Sequence, residues 1–283
     1  MATVIVTDST SDIEPARARE LGIAVVPLFV IWGDRSYRDY VDLSREAFYE
    51  RLAGEPTLPT TSQPTAQMFE ESFAPRVAAG DEIVCIAVSS KLSGTINSAR
   101  TAAARFPGAR IEVVDSLTVA GGLYLQVTSA ATLARAGAST EEILQALQAD
   151  RQTQHLFACL ADLSHLVRTG RIGKAKAVIG TLMKIVPVLT LADGMVAARA
   201  QVRTLARAQE TMIDLTIDEI ADPAATRFLV MHTNAPQLAA SVAARLRERL
   251  AGVEPKMLEV LEAGPVIATH GGQGAVGIFS AAG

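Results

Sequence analysis

Cysteine is nearly absent. Cys85 and Cys159 stand far apart, each inside an apolar segment. Two such thiols cannot form the disulfide framework of a small secreted fold, so they read as buried, reduced residues of a cytoplasmic protein. No CxxC or HxxxH spacing joins them to the four histidines, which removes the usual zinc scaffolds. No apolar run approaches the roughly 18 residues that a membrane-spanning helix needs, although mean hydropathy is +0.25. The first residues, MATVIVTDSTSD, meet an acid at Asp8 and have no basic lead-in, so no signal peptide is expected there. Neither a GxSxG elbow nor a GxxxxGK[ST] loop occurs, leaving the common hydrolase and P-loop chemistries without support. What remains is 283 residues, 49% hydrophobic and 20% charged. That is an ordinary globular balance with length for two domains of roughly 150 residues each.

The net charge of −4 hides an asymmetry. Arg168, Arg171, Lys174, Lys176, Lys184, Arg199, Arg203 and Arg207 share their stretch with a single acid, Asp193. A basic patch on an acidic chain points either to one particular partner face or to a solvated surface with counter-charges folded in from elsewhere. No nucleic-acid partner is expected.

Strand and helix patterns alternate through the first half. Residues 2–9, 23–33, 82–89 and 111–116 read as strands. Residues 15–21, 44–53, 64–79, 94–106 and 118–136 read as helices, the first with Ser11 and Glu14 at capping-box spacing. Such alternation argues for an α/β domain with a mostly parallel sheet flanked by helices. The sequence AGAST near 136–140 marks a break, with Ser139 placed to cap a helix over 140–151. The second half holds strand patterns at 155–162, 185–199, 227–233 and 256–263, and helical ones after Leu163, at 204–220 and at 236–250. Asp193-Gly194 splits 185–199 into a hairpin, which makes this half α+β with a partly antiparallel sheet. The expected division is 1–145 and 146–283, the second part closing over whatever the first part holds.

Gly272, Gly274 and Gly277 have the GxGxxG spacing, but no helix or acid follows as a dinucleotide site requires. A tight loop is the better reading. His270 sits between VIAT, which looks strand-like, and these glycines, where a side chain is readily displayed. Hydroxyls cluster after strands: Thr60, Thr61 and Ser62 before Gln63-Pro64, then Ser89, Ser90, Ser93 and Thr95 before a helix. Many such groups only cap helices. In a doubly wound sheet, however, ligands gather at the carboxyl ends of strands, and hydroxyls beside a helix N-terminus suit an anion such as a carboxylate.

VIVTDSTSD, TTSQPT, SSKLSGTINSA, VVDS followed by GG, LSHLVRTGRIG, PVLTLADGMV with VRT, and THGGQGAVGI occur in that order. Together, from Val4 to Ile278, they resemble the signature blocks of the DegV family of bacterial lipid-binding proteins. The resemblance implies a two-domain DegV-like fold that encloses one long-chain fatty acid and has no cofactor and no catalysis of its own. Some members are carrier subunits of an ATP-dependent fatty acid kinase. By position, Thr61 and Ser93 would bind the carboxylate, with Ser62, Gly94 and Thr95 beside them and His270 completing the polar end. Arg171 and Arg203 would belong to the face meeting the kinase and, transiently, a membrane surface. The apolar lining would come from 118–136 and 177–189. Two residues depart from the pattern: Thr169 stands where the family has Gly, and Gln273 where it has Pro. The alternatives are a serine acyl hydrolase using Ser93 and His270, or a sensor of a small polar anion.

Overall fold

A computed structural model describes residues 2–55, 57–176 and 185–283. The chain forms two compact units, Met1–Arg151 with Gly264–Val266, and Gln152–Ala263 with Ile267–Gly283.

The first unit is built on four parallel strands in the order β2-β1-β6-β7: β1 Thr3–Asp8, β2 Ala24–Val26, β6 Glu82–Ala87 and β7 Ile111–Asp115. β3 Phe29–Trp32, β4 Arg35–Arg38 and β5 Thr60–Ser62 form a separate antiparallel sheet. Val6, Val26, Ile83 and Cys85 bury their side chains against Phe69 and Phe73 of α3 (Ala66–Ala78) and Ala99 and Ala102 of α4 (Thr95–Ala103). Each fully buried phenylalanine there contributes about 1.5–3 kcal/mol. α1 (Pro15–Leu21) and α5 (Gly121–Arg135) cover the other face. α2 (Arg45–Gly54) brings Phe48 edge-on to Trp32, ring centroids 5.5 Å apart.

α6 (Thr140–Thr153) starts as its sequence indicates. Ser139 Oγ accepts the Glu142 N–H at 3.3 Å, and the Glu142 carboxylate accepts the Ser139 N–H at 2.7 Å. This reciprocal pair is a capping box.

The second unit centres on a six-stranded sheet in the order β10-β9-β8-β13-β11-β12. Its strands are β8 His155–Cys159, β9 Val186–Ala192, β10 Met195–Val202, β11 Thr226–His232, β12 Met257–Glu262 and β13 Val276–Ala282. Only the β11–β12 pairing is parallel. Alternation along the strands sorts the two faces. Phe157, Cys159, Val188, Val276 and Ile278 join the core under α8 (Leu205–Glu219) and α9 (Pro236–Arg249). Leu189 and Ala158 turn the other way, toward Leu166 of α7 (Ser164–Arg168) and Ile172. The β9–β10 hairpin closes at Asp193 and Gly194, both at positive φ (52° and 77°), as a two-residue turn with inverted dihedrals demands.

Several expectations from the sequence are corrected here. The Ser11–Glu14 box does not form: Ser11 Oγ donates to Asp8 O, and Glu14 caps α1 without its side chain. Pro15 at the first helical position presets φ instead. The single strand over 23–33 is two strands in different sheets. Pro27 lies between them and has no N–H to offer a ladder, and Leu28 N donates to Ser9 Oγ instead. Residues 60–62, for which no element is expected, form a short strand, and the helix expected over 64–79 begins at Ala66, where Thr65 caps α3 by accepting from Met68 N. VIAT is not extended. It lies in α10 (Pro265–Gly271), which Pro265 opens. Of the proposed lining run 177–189, residues 177–184 lie outside the described residues.

Candidate functional site

In the first unit the loops following β1, β6 and β7 are laced together at the carboxyl edge of the parallel sheet. Asp8, at the end of β1, accepts Val88 N–H at 2.8 Å from the β6 loop. Ser89 N donates to Thr118 O at 2.9 Å, and Ala120 N donates to Thr10 O at 3.0 Å, closing the circuit. Ala120 sits at φ 53°, ψ −129°, a conformation that costs a non-glycine residue about 1–3 kcal/mol. Burial raises the Asp8 pKa, while bonds from Thr10 and Val88 oppose the rise.

On this edge α4 begins. Ser93 Oγ accepts the Thr95 N–H at 3.3 Å and lies 2.9 Å from Thr95 Oγ1. When Thr95 donates both hydrogens, Ser93 keeps its own hydroxyl hydrogen for an incoming acceptor. Thr95 is wholly buried, so it supports Ser93 and offers a ligand no surface. Gly94 is the residue flanking the helix N-terminus. A Cβ there would stand 2.2 Å from Gln63 Oε1, so glycine is what lets Gln63 cross it. Gln63 Nε2 then donates to Ser98 Oγ at 3.1 Å. Gln63 follows β5 directly and so ties the Thr61 segment to the Ser93 segment. The sequence alone gives Gln63 no such role, because Gly94 is distant from it along the chain. Thr61 pairs with Val30 of β3, and Ser62 with Phe29. Neighbours on a strand point to opposite faces, so half-buried Thr61 and exposed Ser62 do not share one.

His270 belongs to the second unit, near the end of α10. Its Nδ1 lies 2.9 Å from Thr169 Oγ1, just past α7. Burial, then the positive charges of Arg171 and His165, hold its pKa down at about 4, so the ring is neutral at pH 7. A catalytic serine–histidine pair uses a carboxylate on Nδ1 to stabilise the imidazolium. Here Nδ1 lies against the neutral Thr169 hydroxyl. The glycine loop after His270 is secured by Thr233, with Gly272 and Gly274 at positive φ (69° and 81°). Thr233 Oγ1 donates to Gly272 O at 2.5 Å and accepts from Ala275 N at 2.9 Å, and Gly274 N donates to Thr233 O at 2.8 Å. These bonds define the turn with Gln273 in it.

Arg171 and Arg203 differ in setting. Arg171 is half-buried and donates to Thr169 O, whereas Arg203 is exposed just before α8. Part of the basic excess is neutralised from outside the segment, since Arg199 pairs with Glu219 at 3.0 Å. Among the described residues, no group of three or more His, Cys, Asp or Glu is placed to hold a metal, and no helix is long and apolar enough to cross a membrane.

The sequence profile described as "Uncharacterised protein, DegV family" matches residues 2–283. The chain belongs to the DegV family. A DegV domain-containing protein of Halalkalibacterium halodurans is 37% identical over 280 residues, covering 97% of this chain and 96% of the relative. Among solved structures, a DegV family protein from Thermus thermophilus, described by its fatty acid binding, superposes with a TM-score of 0.90 at 32% identity, over 100% of both chains. DegV from Bacillus subtilis, described as a fatty acid binding protein, gives 0.91 at 29% identity, again over 100% of both. The α/β architecture, with its parallel four-stranded sheet and its mixed six-stranded one, is therefore the DegV fold. Against the DegV blocks, the N-terminal VTDS supplies Asp8 for the loop circuit, and SSKLSGT supplies the Ser93–Thr95 turn.

Proposed function

We propose that this chain binds one long-chain fatty acid and holds its carboxylate at the Ser93–Gly94 turn. The observation that carries the reading is the turn itself. Ser93 can keep a donor hydrogen at a helix N-terminus, among the neutral partners Thr95, Gln63 and Ser98, with Gln63 tying in the Thr61 strand. The fatty-acid-binding relatives at 32% and 29% identity support it. The energetics agree. A saturated chain of roughly 15 methylenes gains about 12 kcal/mol on burial at about 0.8 per methylene, before the cost of immobilising it. A buried carboxylate costs several kcal/mol unless donors meet it, and hydroxyls with helix N-terminal amides supply them. Neutral donors also hold the head group less firmly than a paired arginine does, which suits a carboxylate that must later accept a phosphoryl group.

The finer reading is that the chain is a non-catalytic subunit in the cytoplasm, presenting the carboxylate to an ATP-dependent fatty acid kinase. Exposed Arg203, with Arg171, lies on the docking face and meets anionic membrane surfaces transiently. The test is binding of a C16 fatty acid to Ser93→Ala and Thr61→Val. Each should weaken binding by about 1–3 kcal/mol, the range for a lost hydrogen bond to a charged group, with the fold intact. Unchanged affinity in both variants overturns the carboxylate assignment.

A further inference from the structure

Asp39 is buried, and neither of its carboxylate oxygens has a hydrogen-bond partner. Buried polar groups are rarely left so, because each orphaned oxygen forfeits the water it had in the unfolded chain. Asp12, whose charge acts on Asp39, is buried too. Its Oδ1 accepts from Gly264 N and from the Tyr40 hydroxyl, while its Oδ2 is a third orphan. The Val266 N–H and the Ser9 hydroxyl lie near Asp39 without reaching bonding geometry. Both acids therefore meet one short segment, Gly264–Val266, which packs with the first unit although the residues on either side of it belong to the second. Glycine is required where that segment starts: a Cβ on Gly264 would stand 2.4 Å from the Tyr40 hydroxyl oxygen.

The other titratable groups acting on the pair are Asp8 on β1, Tyr40, and Arg45 at the start of α2. Asp8 opposes a charge on either acid. Arg45 favours one on Asp12 and also pairs with Glu14 at 2.7 Å. One negative charge, on Asp12, thus has donors to receive it; a second, on Asp39, has none at bonding distance.

We propose that Asp39 is a carboxylic acid in the folded chain, that its O–H donates to Asp12 Oδ2, and that this proton latches Gly264–Val266 onto the first unit. The bond gives partners to two of the three orphaned oxygens and leaves Asp12 Oδ1 for Gly264. Burial, and next the Asp12 charge, push the Asp39 pKa well above the usual carboxylate range, which works in the same direction. When the segment opens, water reaches Asp39, its acidity becomes ordinary, and the proton passes to solvent. The latch is therefore strongest at low pH and weakens as pH climbs toward the folded pKa of Asp39. It is independent of what the chain binds.

Carboxyl 13C NMR of the full chain labelled at aspartate Cγ, assigned through the backbone, tests the proton. At pH 7 Asp39 should show the shift of a neutral acid; an ionised Asp39 there overturns the proposal. Hydrogen exchange at the Gly264 amide tests the latch. From pH 7 up to the pH at which Asp39 titrates, its rate should rise about a hundredfold per pH unit, roughly tenfold from base catalysis and tenfold from release of one proton on opening. Asp39→Asn keeps a donor for Asp12 but has no proton to lose, so its slope should be lower by about tenfold per pH unit. A parent slope of base catalysis alone, or a variant that keeps the parent's slope, overturns the latch. So does a Gly264 amide that exchanges only as slowly as Val84 in β6, through global unfolding. Should Asp39→Asn fail to fold, the carboxyl shift and the parent's slope still decide.

Discussion

Asp12 should make the protein less stable as pH rises through neutrality, and Asp12→Asn should lessen that dependence. Asp12 is buried, and its Oδ1 accepts Gly264 N–H at 2.8 Å and the Tyr40 hydroxyl at 3.3 Å. Burial raises its pKa from 3.8 to about 7, with Asp8 adding to the rise. The Gly264 bond, the Arg45 charge and the Tyr40 bond oppose it. A carboxyl whose folded pKa lies above its unfolded value binds its proton more tightly in the folded state. Its stabilising contribution is complete below the unfolded pKa and is lost as pH climbs to the folded one. Between pH 5 and pH 8 that loss is roughly 2.5 kcal/mol, at 1.36 kcal/mol per pKa unit. Asparagine keeps an acceptor oxygen and tolerates the left-handed backbone at this position, φ 53°, so the substitution isolates the charge. Buried Asp39 and Asp8 are raised in the same direction, so both proteins should lose stability with pH, the parent more steeply. Urea denaturation of the two proteins at pH 5, 6, 7 and 8 gives the difference directly. Curves that stay parallel across that range would refute the assignment of a raised Asp12.

Gly94→Ala should displace Gln63 and break its bond to Ser98. The stability cost should be about 1 kcal/mol or less, with a larger loss in fatty acid affinity, and Gln63→Ala should reproduce the affinity loss. Unchanged affinity in both rejects Gln63 as the tie between the two segments. Arg203→Ala and Arg171→Ala should leave fatty acid affinity nearly unchanged. They should slow acyl phosphate formation by a cognate kinase, most when combined, because rim charges act mainly on association. Raising salt should mimic part of that loss. A lower melting temperature without a kinase defect would assign these arginines to the fold alone.

Much of the architecture is legible in the residues. The β-branched runs alternating with helical periods give the parallel sheet, and Asp193-Gly194 gives the hairpin because only such residues accept two positive φ angles in succession. Ser139 with Glu142 marks the start of α6 by its spacing. What is not legible depends on tertiary partners. β13 carries Gly277 and Ser280, which weaken any strand pattern; it forms because β8 and β11 both pair with it. Gly277 lies against β8, where a Cβ would stand 3.3 Å from Ala158 Cβ. The Thr60–Ser62 strand is three polar residues long and exists only beside β3. The site divides in the same way. Hydroxyls after strands announce Ser93, but nothing local says that Thr95 is buried beneath it, that Gln63 lies across Gly94, or that Thr169 meets His270. Each of those depends on a contact between segments far apart in sequence or on packing density, and no local pattern reports either.

Native mass spectrometry of the freshly purified full chain tests the central claim most directly. The apolar gain from burying an acyl chain exceeds the desolvation cost of a carboxylate that hydroxyls and amides receive. A fatty acid of roughly 14–18 carbons should therefore accompany the protein at about one per chain, its gross gain scaling at about 0.8 kcal/mol per methylene. A stoichiometric small polar anion in its place, or a chain that stays empty after incubation with fatty acids of those lengths, would contradict the account.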